Sequence, residues 1–418
     1  MKLKNKLLIF LSFILFSFNV MAKDLVIATS FSPEVTTYII EQWNMKAEHN
    51  NIRLINRTVS SLEKLLMNQN VNEVDLIISS SPFLFDHLQQ HSLLSTLPVN
   101  LRVNSKYVPS RLNTTTAAVA FSGYGIFYNR KLLKEYNIEI PSDWNSLENN
   151  NYFNGILMSS PSRSGSNHIM LEMLLQQRGW EKGWQDFLSI AGNISLISSR
   201  SFNVVDKVKM GLAIAGISID SYANSELNDP SVGFSYFPDS IASPTFVAIH
   251  QHSKNKKEAE MFINTLLYNH QNKVFSIQHF AKFPFQLYQP NDTRYAQQKT
   301  LLEQPVLDYD LLLLRQDLIR KLFDVAITFR LTQLKEVWAM LIYKEKLLNK
   351  KLSALRDKLT AIPITEIQAK DKSYLLKISN DKSFSLEQEK LWRDFFQNKI
   401  NETIYLLNED NEKKKEHY

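Results

Sequence analysis

The 418-residue chain contains no cysteine. It therefore has no disulfide framework, no thiolate metal site, no cysteine nucleophile and no lipid-anchoring cysteine of a lipoprotein. Glycine is also scarce: all ten glycines lie between Gly123 and Gly233, and the last 185 residues have none. Because glycine marks tight turns and close backbone approaches, this distribution predicts a turn-rich middle and a helix-rich C-terminal part.

A strong charge of one sign is missing as well. The formal net charge is +6, and three of the positive charges are Lys2, Lys4 and Lys6. The remaining +3 is spread over 396 residues, which excludes a nucleic-acid partner as the expected function. With 44% hydrophobic and 22% charged residues, the composition is that of a globular protein, and the length suggests two or three domains.

Residues 1–22 have the pattern of a cleavable secretory signal peptide. The three lysines precede an apolar stretch from Leu7 to Phe18, and Val20-Met21-Ala22 is a small-x-small cleavage site. An uncleaved anchor helix is the alternative, but the apolar stretch is shorter than the about 20 residues that a bilayer requires. No later segment has eighteen uninterrupted apolar residues, so we expect an exported mature chain without a membrane anchor.

Short apolar strands alternate with helices through the middle of the chain, which is the pattern of a doubly wound α/β fold. The predicted strands cover residues 24–29, 52–56, 75–79, 117–128, 155–159, 193–198, 212–219, 234–237 and 246–250. The strand over 117–128 is long, and Tyr124 lies between two glycines at its middle. A strand of this length can leave one lobe and enter another.

The predicted fold is therefore α/β, with two lobes and a helical C-terminal extension. The expected boundaries are the signal peptide at 1–22, lobe 1 at 23–120 with 241–290 returning to it, lobe 2 at 121–240, and the extension at 291–418. In the extension, apolar residues such as Leu318, Leu322, Phe329 and Trp338 recur at helical spacing. We interpret this stripe as a cap packed on the lobes; a docking surface for a partner is the alternative.

Hydroxyl side chains cluster where several predicted strands end and helices begin. The clusters are Thr29-Ser30-Phe31-Ser32, Thr58-Val59-Ser60-Ser61 and Ser79-Ser80-Ser81. In open α/β sheets ligands bind beyond the carboxyl ends of the strands, and a helix N-terminus favours anions. Simple helix capping by serine is the alternative for any single cluster. Several converging clusters favour a small anion as the ligand.

The richest cluster is Ser162-Arg163-Ser164-Gly165-Ser166-Asn167, which precedes a helix predicted to begin near His168. Glycine lets backbone N–H groups approach a ligand closely, serines donate hydrogen bonds, and arginine offers a bidentate fork to phosphate or carboxylate. Arg57 and Arg200 also stand at strand ends. We therefore expect this loop to complete an anion cage.

Enzymatic motifs are absent from the sequence. It has no Gly-x-Ser-x-Gly, no His-Glu-x-x-His, no phosphate-binding loop of nucleotide hydrolases and no dinucleotide-binding Gly-x-Gly-x-x-Gly. We therefore expect a binding protein that is not an enzyme and that has no cofactor and no resident metal.

Several segments, in order along the chain, resemble the bacterial periplasmic solute-binding proteins of ABC transporters. They are Phe121–Asn129, Pro161–His168, Gly179–Trp184 with Ala191-Gly192-Asn193, Gly216–Asp220 and the helix over 255–267. The resemblance covers about residues 24–290 and is to the type II branch, which includes ferric-iron and phosphosugar binders. It implies a periplasmic protein whose two lobes close on a ligand about a hinge, with Tyr124 near the crossover.

The leader, the strand end Asn56-Arg57-Thr58 and the long helical tail are similar to a regulatory member of that branch. This narrower resemblance implies sensing of phosphoglycerate and a signal to a membrane sensor kinase.

One departure from the family concerns iron. Ferric binders hold the metal with two adjacent tyrosines, but this sequence has no Tyr-Tyr pair, and Tyr222 has no tyrosine next to it. Ferric-iron binding is therefore the second-ranked ligand hypothesis.

The function expected from the sequence is capture of phosphoglycerate or a sugar phosphate and presentation of the closed form to a membrane permease or sensor kinase. The candidate ligand-binding residues are Thr29, Ser30, Phe31, Arg57, Ser80, Ser81, Tyr124, Arg163, Ser164, Gly165, Ser166, Asn167, Arg200 and Asp220. A ligandless interaction protein that acts through its helical tail is a further alternative. We expect a monomer.

Overall fold

The structure is a computed structural model, and it describes residues 24–31, 36–37, 40–41, 43, 51–68, 73–198, 200–268 and 281–415. The predicted signal peptide lies outside the described residues, as does the start of the segment after β1 at Ser32-Pro33-Glu34. The strands are β1 Leu25–Thr29, β2 Ile52–Asn56, β3 Leu76–Ser79, β4 Thr116–Ser122, β5 Tyr124–Asn129, β6 Ile156–Ser159, β7 Ile194–Ser198, β8 Ala215–Ile219, β9 Val232–Tyr236 and β10 Ser243–Ile249.

The described strands form two five-stranded mixed sheets. The first has the order β2-β1-β3-β10-β4 and the second has the order β7-β6-β8-β5-β9. In each sheet three neighbouring strands are parallel: β2, β1 and β3 in the first, β7, β6 and β8 in the second. The other two strands join antiparallel, β10 and β4 in the first sheet and β5 and β9 in the second.

Gly123 divides the strand predicted over 117–128 into β4 and β5, which belong to different sheets. The predicted passage from one lobe to another is thus confirmed, although as two strands. The chain returns after β9 into β10 of the first sheet. The expected boundaries near residues 120 and 240 stay a prediction; the strands of the first sheet come from residues 25–122 and 243–249.

Helices cover the sheets and form most of the C-terminal part. Those with described bounds are α1 Val59–Leu66, α2 Pro82–Gln90, α3 Arg130–Glu135, α4 Trp144–Leu147, α5 Gly165–Arg178, α6 Trp180–Ala191, α7 Phe202–Lys209, α8 Asp220–Ala223, α9 Lys256–Tyr268, α10 Tyr295–Glu303, α11 Tyr309–Leu314, α12 Gln316–Ala326, α13 Leu331–Leu348, α14 Ser353–Leu359, α15 Glu366–Lys370, α16 Lys372–Asn380 and α17 Lys382–Lys415. Short 3₁₀ helices lie at Val99–Leu101, Ser105–Tyr107, Ser110–Leu112, Asn150–Tyr152 and Thr328–Arg330. Among the described residues, no helix has the length and apolar character that crossing a membrane requires.

The inner parallel strands β1, β3, β6 and β8 are buried at every residue, whereas the edge strands β2 and β7 are partly exposed. β1 reads Leu-Val-Ile-Ala-Thr, and all five of its residues are buried. Such unbroken apolar runs are typical of strands covered on both sides. One core cluster runs from the first sheet (Phe246) through the second (Ile217) into the C-terminal helices (Trp338), so the three parts share one hydrophobic interior.

The C-terminal helices pack on the lobes, as the apolar stripe predicts. Phe323 of α12 contacts Phe187 of α6 with ring centroids 5.8 Å apart. The backbone N–H of Ser110, in the first-sheet part of the chain, donates to Asp310 Oδ1 at 3.0 Å. Phe329 is an exception to the stripe: it lies in a 3₁₀ turn and is 70% exposed. The extension thus contacts both lobes.

Candidate ligand-binding site

A cleft with a volume of about 460 Å³ lies beyond the carboxyl ends of the parallel strands of both sheets. Phe31 follows β1, Ser80 follows β3, Arg163 follows β6 and Arg200 follows β7. Its lining consists of Ser30, Phe31, Thr58, Val59, Ser60, Glu63, Ser79, Ser80, Ser81, Phe83, Pro161, Ser162, Arg163, Ser164, Gly165, Ser166, Arg200, Ser201, Phe202, Ile219, Tyr222 and Arg320. A cleft at this edge is where open α/β sheets bind ligands.

Four helices begin at the cleft wall, two from each side. Their N-cap residues are Thr58 of α1, Ser81 of α2, Ser164 of α5 and Ser201 of α7. The first turn of a helix leaves backbone N–H groups without intrahelical partners and carries a partial positive charge. Four such turns around one cavity favour the binding of an anion there.

The N-cap hydroxyls divide into two kinds. Thr58 Oγ1 accepts from the backbone N–H of Ser61 at 3.3 Å, and Ser164 Oγ accepts from that of Asn167 at 3.2 Å. Ser81 and Ser201 make no such capping bond. Ser81 is 4% exposed, and its Oγ has no hydrogen-bond partner within the described part of the chain. Because a buried hydroxyl without a partner is costly, Ser81 is poised to donate to a ligand.

Further hydroxyls extend this donor surface around the cleft. Ten of the lining residues are serine or threonine. Ser30 Oγ lies 2.7 Å from Ser79 Oγ, and Ser166 Oγ lies 3.0 Å from Ser164 Oγ. Serine and threonine hydroxyls can rotate to donate or accept, so the lining can adapt its hydrogen bonds to the oxygens of a small ligand.

The fixed charges of the lining are mainly positive. Arg163, Arg200 and Arg320 contribute three guanidinium groups, and Glu63 contributes the one carboxylate among the lining residues. Glu63 Oε1 lies 2.6 Å from His87 Nδ1, so one oxygen of this carboxylate contacts His87. The electrostatics therefore favour a negatively charged ligand.

The two sides of the cleft approach each other closely at Gly165. A Cβ added there would lie 3.1 Å from Ser81 Oγ on the opposite side, so even alanine would press on Ser81. Next to this contact, the rings of Phe83 and His168 face each other across the same boundary with centroids 4.4 Å apart. Glycine at 165 lets the N-termini of α2 and α5 come together.

Nine of the fourteen residues predicted from the sequence line the cleft. They are Ser30, Phe31, Ser80, Ser81, Arg163, Ser164, Gly165, Ser166 and Arg200. The helix predicted to begin near His168 begins three residues earlier, at Gly165. Gly165, Ser166 and Asn167 are therefore the first helical turn, which directs N–H groups towards the cleft. In the cluster Thr58-Val59-Ser60-Ser61, the residue that caps the following helix α1 is Thr58.

Thr29, Arg57 and Asn167 are outside the lining of the cleft. Thr29 is fully buried, and its Oγ1 accepts from the backbone N–H of Phe31 at 3.2 Å. The guanidinium of Arg57 donates to its neighbour, the carbonyl of Asn56, at 2.9 Å. Asn167 is buried, and its Nδ2 donates to Ser164 Oγ at 3.1 Å. These side chains support the backbone that forms the cleft wall.

Tyr124 and Asp220 also lie outside the lining, at the crossover between the sheets. Tyr124 OH is 2.8 Å from Ser243 Oγ, and burial raises the pKa of its phenol. Asp220 Oδ2 accepts from the backbone N–H of Gly123 at 2.7 Å and from Tyr236 OH at 3.1 Å. Burial raises the pKa of the Asp220 carboxyl to about 6. Both residues tie the connecting strands together.

Sequence reasoning missed several lining residues. Four of them are absent from the predicted candidates: Arg320, Phe83, Glu63 and Phe202. Three others lie inside the predicted hydroxyl clusters: Thr58, Ser79 and Ser162. Phe83 and Phe202 immediately follow the N-cap region of α2 and α7, so position after a hydroxyl cluster was a usable signal. Arg320 is far away in sequence and had none.

The lining offers few groups of the kind that hold ferric iron. Tyr222 is the one tyrosine among the lining residues, and Glu63 is the one carboxylate. Burial raises the pKa of the Tyr222 phenol, which disfavours the phenolate form that binds a metal. In the described part of the chain, no group of three or more His, Cys, Asp or Glu side chains could hold a metal ion.

Comparisons with known proteins agree with this architecture. The profile of the family described as bacterial extracellular solute-binding protein matches residues 72–309. The phosphoglycerate transport regulatory protein PgtC of Salmonella typhimurium is 42% identical over 388 residues, which cover 93% of this chain and 98% of the relative.

Solved structures, among them that of the periplasmic binding protein AfuA, share the fold. AfuA from Actinobacillus pleuropneumoniae, with exogenous fructose-6-phosphate bound, has a TM-score of 0.63 at 17% identity and covers 73% of this chain and 98% of its own. Iron-bound HitA from Pseudomonas aeruginosa has a TM-score of 0.56 at 15% identity; the match covers 69% of this chain and 94% of HitA. The resemblance inferred from the sequence is confirmed: the chain belongs to the bacterial extracellular solute-binding protein family.

Proposed function

We propose that this protein acts in the periplasm and captures a small phosphorylated anion, phosphoglycerate or a sugar phosphate, in the cleft between its two lobes. The closed, liganded form is then presented to a membrane transporter or a sensor kinase. In this role no bond of the ligand is made or broken.

The observation that carries this proposal is the meeting of four helix N-termini with three arginines at one cavity. The turns that begin α2 and α5 face each other there, and Ser81 supplies a buried hydroxyl that lacks a partner. Phosphate oxygens accept several hydrogen bonds at once, and backbone N–H groups and guanidinium groups are suited to donate them.

The relatives support a ligand with a phosphate group. One of them, 42% identical along nearly its whole length, is named as a regulator of phosphoglycerate transport. AfuA, which shares the fold, was solved with fructose-6-phosphate. We extend these properties to this chain because its cleft has the hydroxyls, N–H groups and guanidinium groups that a phosphate would need.

We propose that binding is coupled to hinge motion at the crossover around Gly123. Ligand contacts come from both sides of the cleft, so a closed state that makes all of them is stabilised by the ligand more than an open one. The Asp220–Gly123 hydrogen bond holds the crossing strand in place while the lobes move.

Ferric iron remains the alternative ligand because HitA, a protein of the same fold, was solved with iron. The cleft argues for the anion, since its arginines would repel a trivalent cation and its oxygen ligands are mostly neutral hydroxyls. Separate titrations with a phosphorylated anion and with Fe³⁺ decide between them.

Isothermal titration calorimetry tests the proposal, with protein lacking residues 1–22 and with 3-phosphoglycerate, glucose 6-phosphate and Fe³⁺ as separate titrants. We expect one phosphorylated anion to bind at one site per chain. At ten times its dissociation constant, that anion should raise the free energy of unfolding by about 1.4 kcal/mol. Tight binding of Fe³⁺ alone would favour the iron alternative, and no binding by any titrant would favour a ligandless interaction protein.

Arginine variants locate the site. The double variant Arg163→Ala with Arg200→Ala removes two of the three guanidinium groups, and we expect it to weaken anion binding by about a hundredfold or more. Arg57→Ala is the matched control, because Arg57 stands at a strand end outside the lining of the cleft. Unchanged binding in the double variant would place the anion elsewhere.

A further inference from the structure

One arginine of the cleft comes from the C-terminal extension. Arg320 lies in α12, beyond residue 309, where the match to the family profile ends. It nevertheless lines the same cavity as Arg163 and Arg200. The extension is therefore a third contributor to the site, in addition to the two lobes.

The guanidinium of Arg320 is incompletely compensated within the described part of the chain. Its Nε is buried and has no hydrogen-bond partner there. The group stacks over the Phe83 ring, 4.8 Å from the centroid, and the nearest acid in an ion pair is Asp317 at 3.6 Å. Burial lowers the pKa of Arg320, which reflects the cost of holding this cation with so few partners.

The helix that carries Arg320 is fixed to the second side of the cleft. Arg315, one residue before α12, donates from Nε to both carboxylate oxygens of Glu172 in α5, at 2.8 and 3.0 Å. Near the other end of the helix, Ser162 Oγ donates to Asp324 Oδ2 at 2.5 Å. Arg320 is thus held at the cleft by its helix, and its own contacts are the ion pair with Asp317 and the ring of Phe83. These contacts leave donors of the guanidinium group available for a ligand.

We infer that Arg320 is a specificity-determining residue that binds a second negative group, such as a carboxylate, of a ligand whose phosphate is held at the helix N-termini. This inference rests on the proposed function. A phosphate monoester carries a charge of about −1.5 to −2 at neutral pH, and a carboxylate adds one more. The three guanidinium groups and four helix N-termini outweigh the carboxylate of Glu63, so the cleft can balance the additional charge of a phosphorylated acid, which the phosphate of an uncharged sugar lacks.

The test compares two titrants that differ in one group. 3-Phosphoglycerate and glycerol 3-phosphate both have three carbons and a phosphate, but only the first has a carboxylate. We expect the wild-type protein to bind 3-phosphoglycerate at least about tenfold more tightly, as a charge-assisted hydrogen bond allows. In Arg320→Gln this preference should shrink to about twofold or less, while binding of glycerol 3-phosphate changes little.

Arg393→Gln is the matched control because it removes a partly exposed arginine of the extension that is outside the cleft lining. Retained binding of glycerol 3-phosphate by Arg320→Gln shows that the variant is folded. If Arg320→Gln keeps the wild-type preference, or loses both titrants equally, the inference is overturned while the proposed function stands. If the wild-type protein binds neither of these titrants, the inference fails; the proposed function fails with it only if glucose 6-phosphate does not bind either.

Discussion

The two sides of the cleft are built from different chemistry. On the first-sheet side, the polar lining consists of hydroxyls with one carboxylate, Glu63, and includes no arginine. On the other side, Arg163 and Arg200 come from the second sheet's loops and Arg320 comes from the extension packed against it. Both sides supply helix N-termini. The difference indicates that charge attraction is concentrated on one side and that the other completes the hydrogen bonds.

The largest expected effect tests whether the extension is an integral part of the side of the cleft that carries the arginines. Arg315 and Glu172 form a buried ion pair, with side chains 2% and 0% exposed. Glu172→Gln leaves the guanidinium without its counter-charge, and removal of one partner of a buried pair costs about 3–5 kcal/mol. Urea denaturation of the full mature chain measures this loss in the free energy of unfolding.

Glu366→Gln is the control, because its ion pair with Lys370 is exposed and should contribute at most about 1 kcal/mol. If Glu172→Gln lowers the free energy of unfolding by a similarly small amount, the extension is not an integral part of the second side.

A smaller effect tests the contact between the two sides through His168. This ring is fully buried against Phe83, and burial, with Arg320 and Arg315 nearby, lowers its pKa well below 6.5. The unfolded chain therefore takes up this proton first as the pH falls. The stabilisation is present above pH 6.5 and is lost below it, by up to about 1.4 kcal/mol per pH unit.

Urea denaturation at several pH values between 7 and 5 measures this slope. His168→Phe keeps an aromatic ring and should reduce this slope, whereas His91→Gln changes an exposed histidine on the first side and should leave the slope as in the wild type. An unchanged slope in His168→Phe would show that another group causes the acid sensitivity.

The smallest expected effect concerns the hydroxyl side of the cleft. Ser80→Ala removes one hydroxyl, which lies 3.3 Å from Thr245 Oγ1, and one neutral hydrogen bond corresponds to a loss of about two- to tenfold in affinity. Arg163→Ala should cost more, because hydrogen bonds from a charged group are about twice as strong. Calorimetry with 3-phosphoglycerate measures both, with Ser189→Ala, outside the lining, as control. Equal losses of affinity in Ser80→Ala and Arg163→Ala would contradict the difference proposed between the two sides.

Much of the fold could be predicted from the sequence because its signals are local. Apolar runs such as Leu25–Thr29 give buried strands, and the long apolar segment over 117–128 gives the passage between the sheets, although its break at Gly123 was not predicted. The cluster Ser79-Ser80-Ser81 gave the start of α2, and the cluster over 162–167 gave the start of α5 to within three residues. Strand ends meet at one edge of a parallel sheet, which explains why nine candidates line the cavity.

The remainder depends on packing that the sequence does not show. Thr29 and Asn167 have the expected residue types, but their side chains point into the protein and bond to the backbone or to Ser164. Asp220 is drawn into the crossover by the N–H of Gly123. Arg320 reaches the cleft because α12 folds back over α5, and a polar residue on an amphipathic helix gives no sign of such a contact.

A crystal structure of the mature protein with 3-phosphoglycerate tests the central claim most directly. The account predicts a phosphate in the cleft beside the facing first turns of α2 and α5, with Ser81 Oγ and N–H groups of the Gly165 turn at hydrogen-bond distances of about 2.7–3.2 Å. It also predicts the carboxylate at Arg320. A phosphate bound outside this cleft, or one held there without these donors, would contradict it.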